Sequence, residues 1–469
     1  MELRANIPRI QRRGINQLTE HAMENFHCVC NTTGKQLLGN WMNIPHAYLY
    51  ENNFISLPIY YSKHTKSDLK QLNISLNQDY LSQTQLDELT TLESHNVNVI
   101  AKPIVEIKFT KKTSLIEKEL KSKGPLKRLK HYYRVVLPIV VFACNRPFAL
   151  KNHVDALISI RKNSELNPII ISLDCNDTST ANVAQEFGTN VTAIIKQPDH
   201  SKIAVSESDQ HMIGYYKIAR HYLYTLNHIF NELNYDVAII TEDDLEVAPD
   251  FLDYFSTLYP LLVYDKTLWC VSAWNDNGLA NKINPEPTLL HRTDFFPGLG
   301  WMFTKSAWNE IKANWPKAYW DDWLRQPEQR KNRSCIRPEI SRTGISPYGQ
   351  KGVSNGQYYD QYLKNIVRNN IMVKWKEIDV SYLLKDQYDV WFQQRVNSCK
   401  IITISDLVSL ADISCARLIY NTNEQFVIIA NTLGIMNDFK SNVPRTSYQG
   451  IVQCRYGKTT IYVTPKQKL

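Results

Sequence analysis

No stretch of this 469-residue chain is apolar for long enough to cross a membrane. A spanning helix needs about 20 consecutive apolar residues, and the longest such run, Val135 to Cys144, has the length of a strand. The N-terminus carries no positively charged leader followed by an apolar core. Taken literally, this is a soluble chain with no entry route to the secretory pathway. Its nine cysteines include no C-x-x-C pair, which excludes the common structural zinc patterns. The G-x-x-x-x-G-K-[ST] order of a Walker loop is missing. So is any nucleic-acid motif, although the formal charge is +8 and much of it lies between Lys102 and Arg134. That basic stretch has few aromatics to stack on bases, and it reads as a solvated connector without a nucleic-acid partner.

With 43% hydrophobic and 21% charged residues the composition is that of a folded globular protein. The length implies two or three units. Residues 1–130 have weak periodicity and read as a divergent stem, with short helices expected over Gln83–Leu92 and Leu115–Lys123. From Val135 the texture changes. VVLPIVVFAC, PIIISLD (Pro168–Asp174), NVTAII (Asn190–Ile195), DVAIITEDD (Asp236–Asp244) and LWCVSAW (Leu268–Trp274) are strand-length runs, blemished only by Pro138. Between them lie helical patterns, including a start at Pro147, a long helix over Ile213–Leu233 and another opening at Pro249. Alternating strands and helices predict an α/β fold with a mostly parallel sheet, whose ligands bind beyond the carboxyl ends of the strands. Asp174, Glu242, Asp243 and Asp244 stand at such ends. After about residue 370, FVIIA, GIVQC and TTIYVTP read as short strands of a smaller α+β domain. The divisions are a stem over 1–130, a catalytic domain over 131–348, a covering loop and linker over 349–372, and a C-terminal domain over 373–469.

Glu242-Asp243-Asp244 carries the strongest chemical signal. Three adjacent carboxylates at the end of a buried strand repel one another unless a cation offsets them, and hard oxygen ligands select Mg²⁺ or Mn²⁺. The same triplet could instead serve the N-terminus of the helix near Pro249. WPKAYWDDW (Trp315–Trp323) sets Asp321 and Asp322 among four large aromatics, which suits either a sugar site with a tuned carboxylate base or an aromatic core segment. RTDFFPGLGW (Arg292–Trp301) reads as a tight turn before a strand, and GQKGVSNGQYYD (Gly349–Asp360) as a mobile lid or an ordinary surface loop. Arg146 follows the first strand and could neutralise a diphosphate. Asp174 could accept from a uracil N–H, or both could form a surface ion pair.

These segments, with GYYKIARHY (Gly214–Tyr222), EDDLEVAPDF (Glu242–Phe251), LWCVSAWNDNG, QPEQRK, RPEISRT (Arg337–Thr343), KGVSNGQ and VPRTSYQGIV (Val443–Val452), stand in one order over about residues 135–465. In that order the chain resembles the α-1,3-mannosyl-glycoprotein β-1,2-N-acetylglucosaminyltransferase family, the N-acetylglucosaminyltransferases I. The resemblance implies a GT-A-type domain and inverting transfer of N-acetylglucosamine from UDP-GlcNAc to a mannose-terminated N-glycan, with Mn²⁺ as cofactor. It implies Asp244 as metal ligand, Asp321 as catalytic base, Trp320 and Glu242 at the donor sugar, and Asp243 at the ribose. Asp174 and His221 would hold the uracil, and Arg146 and Ser354 the diphosphate. Leu363 lies just beyond the covering loop. Cys144–Cys175 and Cys270–Cys335 would be disulfides, with the use of Cys399, Cys415 and Cys454 left open. It also implies the Golgi lumen and an N-terminal membrane anchor that this sequence does not display. Competing readings are transfer of N-acetylglucosamine to O-linked mannose, a glycoside hydrolase using Asp321 with one of the triplet, and a silent lectin-like protein.

Overall fold

A computed structural model describes Tyr48–Leu49 and Ile55–Ser56, which form a two-stranded antiparallel pair, and then residues 135–468 apart from 354–355 and 411–412. The expected helices over Gln83–Leu92 and Leu115–Lys123 lie outside the described residues. The following concerns the unit from residue 125 onward.

Its first element, β1 (Ile139–Ala143), is buried along its whole length. Successive side chains of a strand point to opposite faces. Ile139, Val141 and Ala143 therefore enter one apolar core, and Val140 and Phe142 enter another. Pro138 sits just ahead of the strand, where it needs no ladder donor, and its carbonyl accepts from Ile239 N at 2.8 Å. Helix α1 (Pro147–Ile160) starts on its proline. There follow β2 (Ile169–Leu173), α2 (Thr178–Glu186), β3 (Ala193–Lys196) and α3 (Ile213–Asn227), extended by a wider turn over His228–Glu232. Next come β4 (Val237–Glu242), β5 (Leu245–Val247), α4 (Phe251–Tyr264) and β6 (Leu268–Ser272). The elements β7 (Leu290–Thr293), β8 (Trp301–Thr304), α5 (Lys305–Ile311), α6 (Trp320–Leu324), β9 (Ser334–Pro338) and β10 (Thr343–Ile345) complete this part.

Eight strands form one sheet in the order β3-β2-β1-β4-β8-β6-β9-β7. The half from β3 to β4 is wholly parallel. Beyond it β8 is inserted antiparallel between β4 and β6, β9 returns parallel to β6, and β7 closes the edge antiparallel to β9. Helices α1, α2 and α4 cover one face, with Leu150, Val154, Phe255 and Leu258 in its core. Helices α3, α5 and α6 cover the other, with Tyr222, Leu226, Trp308 and Trp320. The layered architecture is the one the resemblance implied.

After the short helix α7 (Gln357–Gln361), α8 (Lys385–Ser398) leads into β11 (Lys400–Ile402), β12 (Cys415–Tyr420), α9 (Asn423–Leu433), β13 (Val452–Tyr456) and β14 (Thr459–Pro465). These strands make a second sheet, β11-β12-β14-β13. GIVQC and TTIYVTP supply β13 and β14 as expected, but FVIIA is helical. Phe426, Ile429, Ala430 and Leu433 share the buried face of α9, Thr422 caps its start through Gln425 N, and Gly434 ends it in the left-handed region. A run of five apolar residues is compatible with either period, and the caps decide. Trp375, Leu383, Tyr388 and Phe392 belong to the same core as β1 and α4, whereas a separate core begins at Ile402.

Candidate active site

Parallel pairing brings the carboxyl ends of β1, β2 and β4 side by side. Asp174 N donates to Ala143 O and Asp243 N to Phe142 O, both at 3.0 Å, so each strand hands its next residue to the same rim. Cys144 and Cys175 are joined by a disulfide across the first two ends. Arg146 and Asp174 are therefore tied to one edge of the site.

Arg146 caps α1 and turns its guanidinium onto the acidic triplet. Its Nη1 donates to Asp244 Oδ2 at 2.8 Å and to Tyr348 O at 3.3 Å, and its Nη2 donates to Asp243 Oδ1. Burial works against the arginine's charge, but Asp244 and Asp243 outweigh it and hold the group protonated. The carboxylates feel their confinement. Burial first, then repulsion by Asp244, pushes Glu242 up to about 7, and burial likewise pushes Asp243 up to about 7 against the pull of Arg146. Tyr222 donates to Glu242 Oε1 at 2.7 Å and holds part of that rise in check. Oδ2 of Asp243 is buried and has no hydrogen-bond partner among the described residues.

Behind this rim stands an aromatic ladder. The Tyr222 ring stacks on Phe142 at 3.9 Å and on Trp320 at 4.3 Å. Trp320 stacks in turn on Trp301 and Trp315. It opens α6 after Tyr319, whose φ of 52° turns the chain sharply into the helix. Asp321 and Asp322 follow. Arg325, one turn on, donates from Nη1 to Asp321 Oδ2 at 2.8 Å and to Asp322 Oδ1 at 2.7 Å. Lys440 reaches in from a two-stranded hairpin, Phe439–Lys440 with Val443–Pro444, to bond Asp322 Oδ2 at 3.1 Å. Asp321 adds to the repulsion that raises Glu242, so the helix and the strand end present like charges to one space.

His221 lies beside Tyr222 on α3. Its Nε2 meets Ser172 Oγ at 2.8 Å, and burial pushes it down to about 4, so it is a neutral ring at physiological pH. Asp174 lies close enough to act on it electrostatically and is 3.7 Å from His200 Nδ1. The segment Pro347–Lys351 covers the triplet. Ser346 N donates to Asp244 O at 2.8 Å, and a Cβ added to Gly349 would come within 3.3 Å of Asp244 Oδ2. Val353 packs against Gly214 at the start of α3. Ser354 lies outside the described residues. Leu363 opens a single turn, Leu363–Asn365, after α7, and its carbonyl accepts from Ile366 N at 3.2 Å.

Arg146, Asp174, His221, Glu242, Asp243, Asp244, Trp320 and Asp321 are thus gathered at one end of the sheet. Sequence reasoning missed His200, Tyr222, Arg325 and Lys440. Tyr222 lay inside a quoted motif, and the spacing of Arg325 from Asp321, one helical turn, was the available signal.

Among the described residues no three His, Cys, Asp or Glu side chains form a cluster that could hold a metal ion. A hard divalent cation on a diphosphate does not require one: it takes one or two carboxylates and completes its shell with phosphate oxygens and water. Asp244 at the rim and the unpartnered Oδ2 of Asp243 are donors of that kind, so the residues present fit such an ion. Cys270–Cys335, which links β6 to β9, and Cys399–Cys415 are also disulfides, and Cys454 is buried with no disulfide partner among the described residues.

An acidic strand end beneath a covering segment, with a carboxylate among tryptophans nearby, is a site of the glycosyltransferase type. The chain belongs to the GNT-I family, which matches residues 46–469. It is 39% identical over 327 residues to the alpha-1,3-mannosyl-glycoprotein 2-beta-N-acetylglucosaminyltransferase of Arabidopsis thaliana, covering 69% of this chain and 72% of that one. Similar solved structures include a mannosyltransferase of Pyrobaculum calidifontis in complex with GDP-Man and Mn²⁺, 12% identical at a TM-score of 0.31 over 49% of this chain and 66% of that one. Another is S. aureus TarS 1-349 in complex with UDP-GlcNAc, 9% identical at a TM-score of 0.32 over 64% of this chain and 72% of that one. Likenesses this remote carry no argument about the site. No helix among the described residues is long and apolar enough to cross a membrane.

Proposed function

We propose that this protein transfers N-acetylglucosamine from UDP-GlcNAc, with inversion, to the 2-hydroxyl of the α-1,3-linked mannose of a high-mannose N-glycan. This is the step that opens hybrid and complex glycan synthesis. Family membership and the activity named for the Arabidopsis relative support the reaction. The observation that carries the mechanism is the convergence of Arg146, Asp174 and Glu242–Asp244 at three adjacent strand ends, opposite Asp321 on α6.

In this reading Asp174 and the neutral His221 hold the uracil, and Asp243 holds the ribose. Arg146 and Ser354 hold the diphosphate, with Leu363 beside the loop that covers it. Trp320 and Glu242 bound the donor sugar. Asp244, seconded by Asp243, would hold Mn²⁺, which when bound offsets the charge that grows on the departing diphosphate. Asp321 accepts the proton of the mannose 2-hydroxyl. The hydroxyl oxygen's electron pair forms the bond to the anomeric carbon on the face opposite the diphosphate, and the bond from that carbon to the diphosphate oxygen breaks. The base plays the part that a carboxylate plays for water in inverting glycosidases. Three disulfides persist only in an oxidising compartment, which supports the lumen of the secretory pathway, and for this reaction the Golgi.

An end-point assay tests the reading. The protein is incubated with UDP-GlcNAc and a mannose-terminated N-glycan, with Mn²⁺ or with chelator, and the glycan is weighed by mass spectrometry. The expected outcome is the gain of one N-acetylhexosamine with Mn²⁺ alone. Absence of gain despite UDP-GlcNAc binding would overturn the acceptor, and absence of binding would overturn the donor.

A further inference from the structure

Asp321 is nearly half-exposed, and an exposed carboxylate rotates freely unless something holds it. Arg325 does so. Its own side chain is only 8% exposed. Its Nε donates to Phe296 O at 3.1 Å, and its guanidinium lies 4.8 Å from the centre of the Phe295 ring. The turn that carries Phe295 and Phe296 belongs to the motif RTDFFPGLGW, whose two phenylalanines the proposed mechanism leaves without a task. Anchored on both, Arg325 turns Nη1 outward and divides it between Asp321 Oδ2 and Asp322 Oδ1. Ion pairs whose carboxylates are nearly half exposed contribute little stability, so the arrangement is better explained by what it does to the carboxylates.

We propose that Arg325 is a positioning residue for the transfer reaction: it occupies Oδ2 of Asp321 and leaves Oδ1 as the oxygen that takes the proton of the acceptor hydroxyl. The inference rests on Asp321 being the base. A planar guanidinium fixed at Nε and at one face defines a direction in space that a flexible ammonium cannot. The same Nη1 is shared with Asp322. Asp322 is itself held below the ordinary carboxylate range, because Arg325 and Lys440 outweigh its burial. Among the described residues, the other titratable groups around this space include Glu242 on β4, Asp244 just beyond it, Tyr215 and Tyr222 on α3, and Tyr319 and Tyr358.

The test is a pH profile of kcat in four proteins: wild type, Arg325→Gln, Arg325→Lys and Asp322→Asn. Calorimetric binding of UDP-GlcNAc serves as the folding control. Arg325→Gln removes a positive charge and the directional hold. Its kcat should fall on the order of 10- to 100-fold, as expected when a reacting group is misplaced by about 1 Å. The acid limb of its profile should move to higher pH while the KM for UDP-GlcNAc stays near wild type. Arg325→Lys restores the charge without the direction, so its acid limb should return towards wild type while kcat stays low. Asp322→Asn removes a competing negative charge, so its acid limb should move to lower pH. A wild-type acid limb in both Arg325→Gln and Asp322→Asn would overturn the proposal. So would a loss of kcat in Arg325→Gln that tracks a loss of UDP-GlcNAc binding. If Asp321→Asn itself keeps wild-type turnover, the base assignment fails, a result distinct from either of these.

Discussion

Asp321 and Asp322 are neighbours of one type on one helix turn, yet they differ in partners. Among the described residues, Asp322 is held by Arg325 and Lys440, and Asp321 by Arg325 alone. On the proposed reading, that asymmetry leaves Asp321 the freer of the two to act as the base. Asp321→Asn is expected to lower kcat roughly 10²- to 10⁴-fold, the usual worth of a general base. Calorimetry should show UDP-GlcNAc binding almost unchanged, and near-normal turnover would remove Asp321 from the mechanism. The carboxylates were legible in the sequence because charge among tryptophans or after a buried strand is conspicuous. Tyr222 was not, because a buried tyrosine reads as core. Only the fold reveals that its hydroxyl meets Glu242 and that its ring joins Phe142 to Trp320.

At the scale of elements, the strand ends and the covering segment make the site. The apolar runs of β1, β2, β4 and β6 announced themselves because both of their faces are buried. The antiparallel β8 between β4 and β6 did not, since residue order does not state sheet order. The segment Pro347–Lys351 lies over Asp244 because Gly349 has no Cβ. An added methyl would approach Ile345 Cγ2 to 2.4 Å and Asp244 Oδ2 to 3.3 Å. Gly349→Ala should therefore lift the segment and weaken UDP-GlcNAc binding by roughly tenfold, with little change in melting temperature because the strain falls on a surface segment. Equal affinity in the two proteins would show that this segment does not bear on the donor. FVIIA was misread at this scale: its Phe, Val and Ile residues are β-formers, and the neighbouring caps and the packing of α9 decide for helix.

Over the whole molecule, one buried cluster binds the late part of the chain to the first sheet. Asp250, fully buried, accepts from Arg342 Nε at 3.1 Å, Trp375 Nε1 at 2.8 Å and Asn369 Nδ2 at 2.9 Å. Arg342→Met leaves that carboxylate without its charge partner, and the expected loss is about 3–5 kcal/mol by denaturant titration. A loss below about 1 kcal/mol would show the cluster to be dispensable. The pH response is also a property of the whole. His153 and His221 are lowered by burial from 6.5 to about 4. Their contribution is complete above 6.5 and is lost as pH falls towards 4. Glu242 and Asp243, raised from 4.5 and 3.8 to about 7, act with the opposite sign. Their contribution is present at low pH and is lost as pH rises through 7, when both must ionise side by side. A cation held at Asp244, as proposed, would offset that repulsion. Mn²⁺ should accordingly raise the melting temperature more at pH 8 than at pH 6, and equal shifts at the two values would count against a cation bound by these carboxylates.

The sequence by itself determined the class of fold, the strands that build the sheet's parallel half, and the residue types at their ends. Apolar periodicity and clustered charge are local properties, and they survive in a linear string. What only the tertiary structure decided is who meets whom. Pairing of β1 with β4 sets Arg146 on Asp243 and Asp244 across nearly a hundred residues. The turn at Phe295–Phe296 anchors Arg325, and a hairpin near the C-terminus brings Lys440 to Asp322. Such contacts arise from sheet order and from the packing of side chains on a common core, and neither is written in the spacing of residues along the chain.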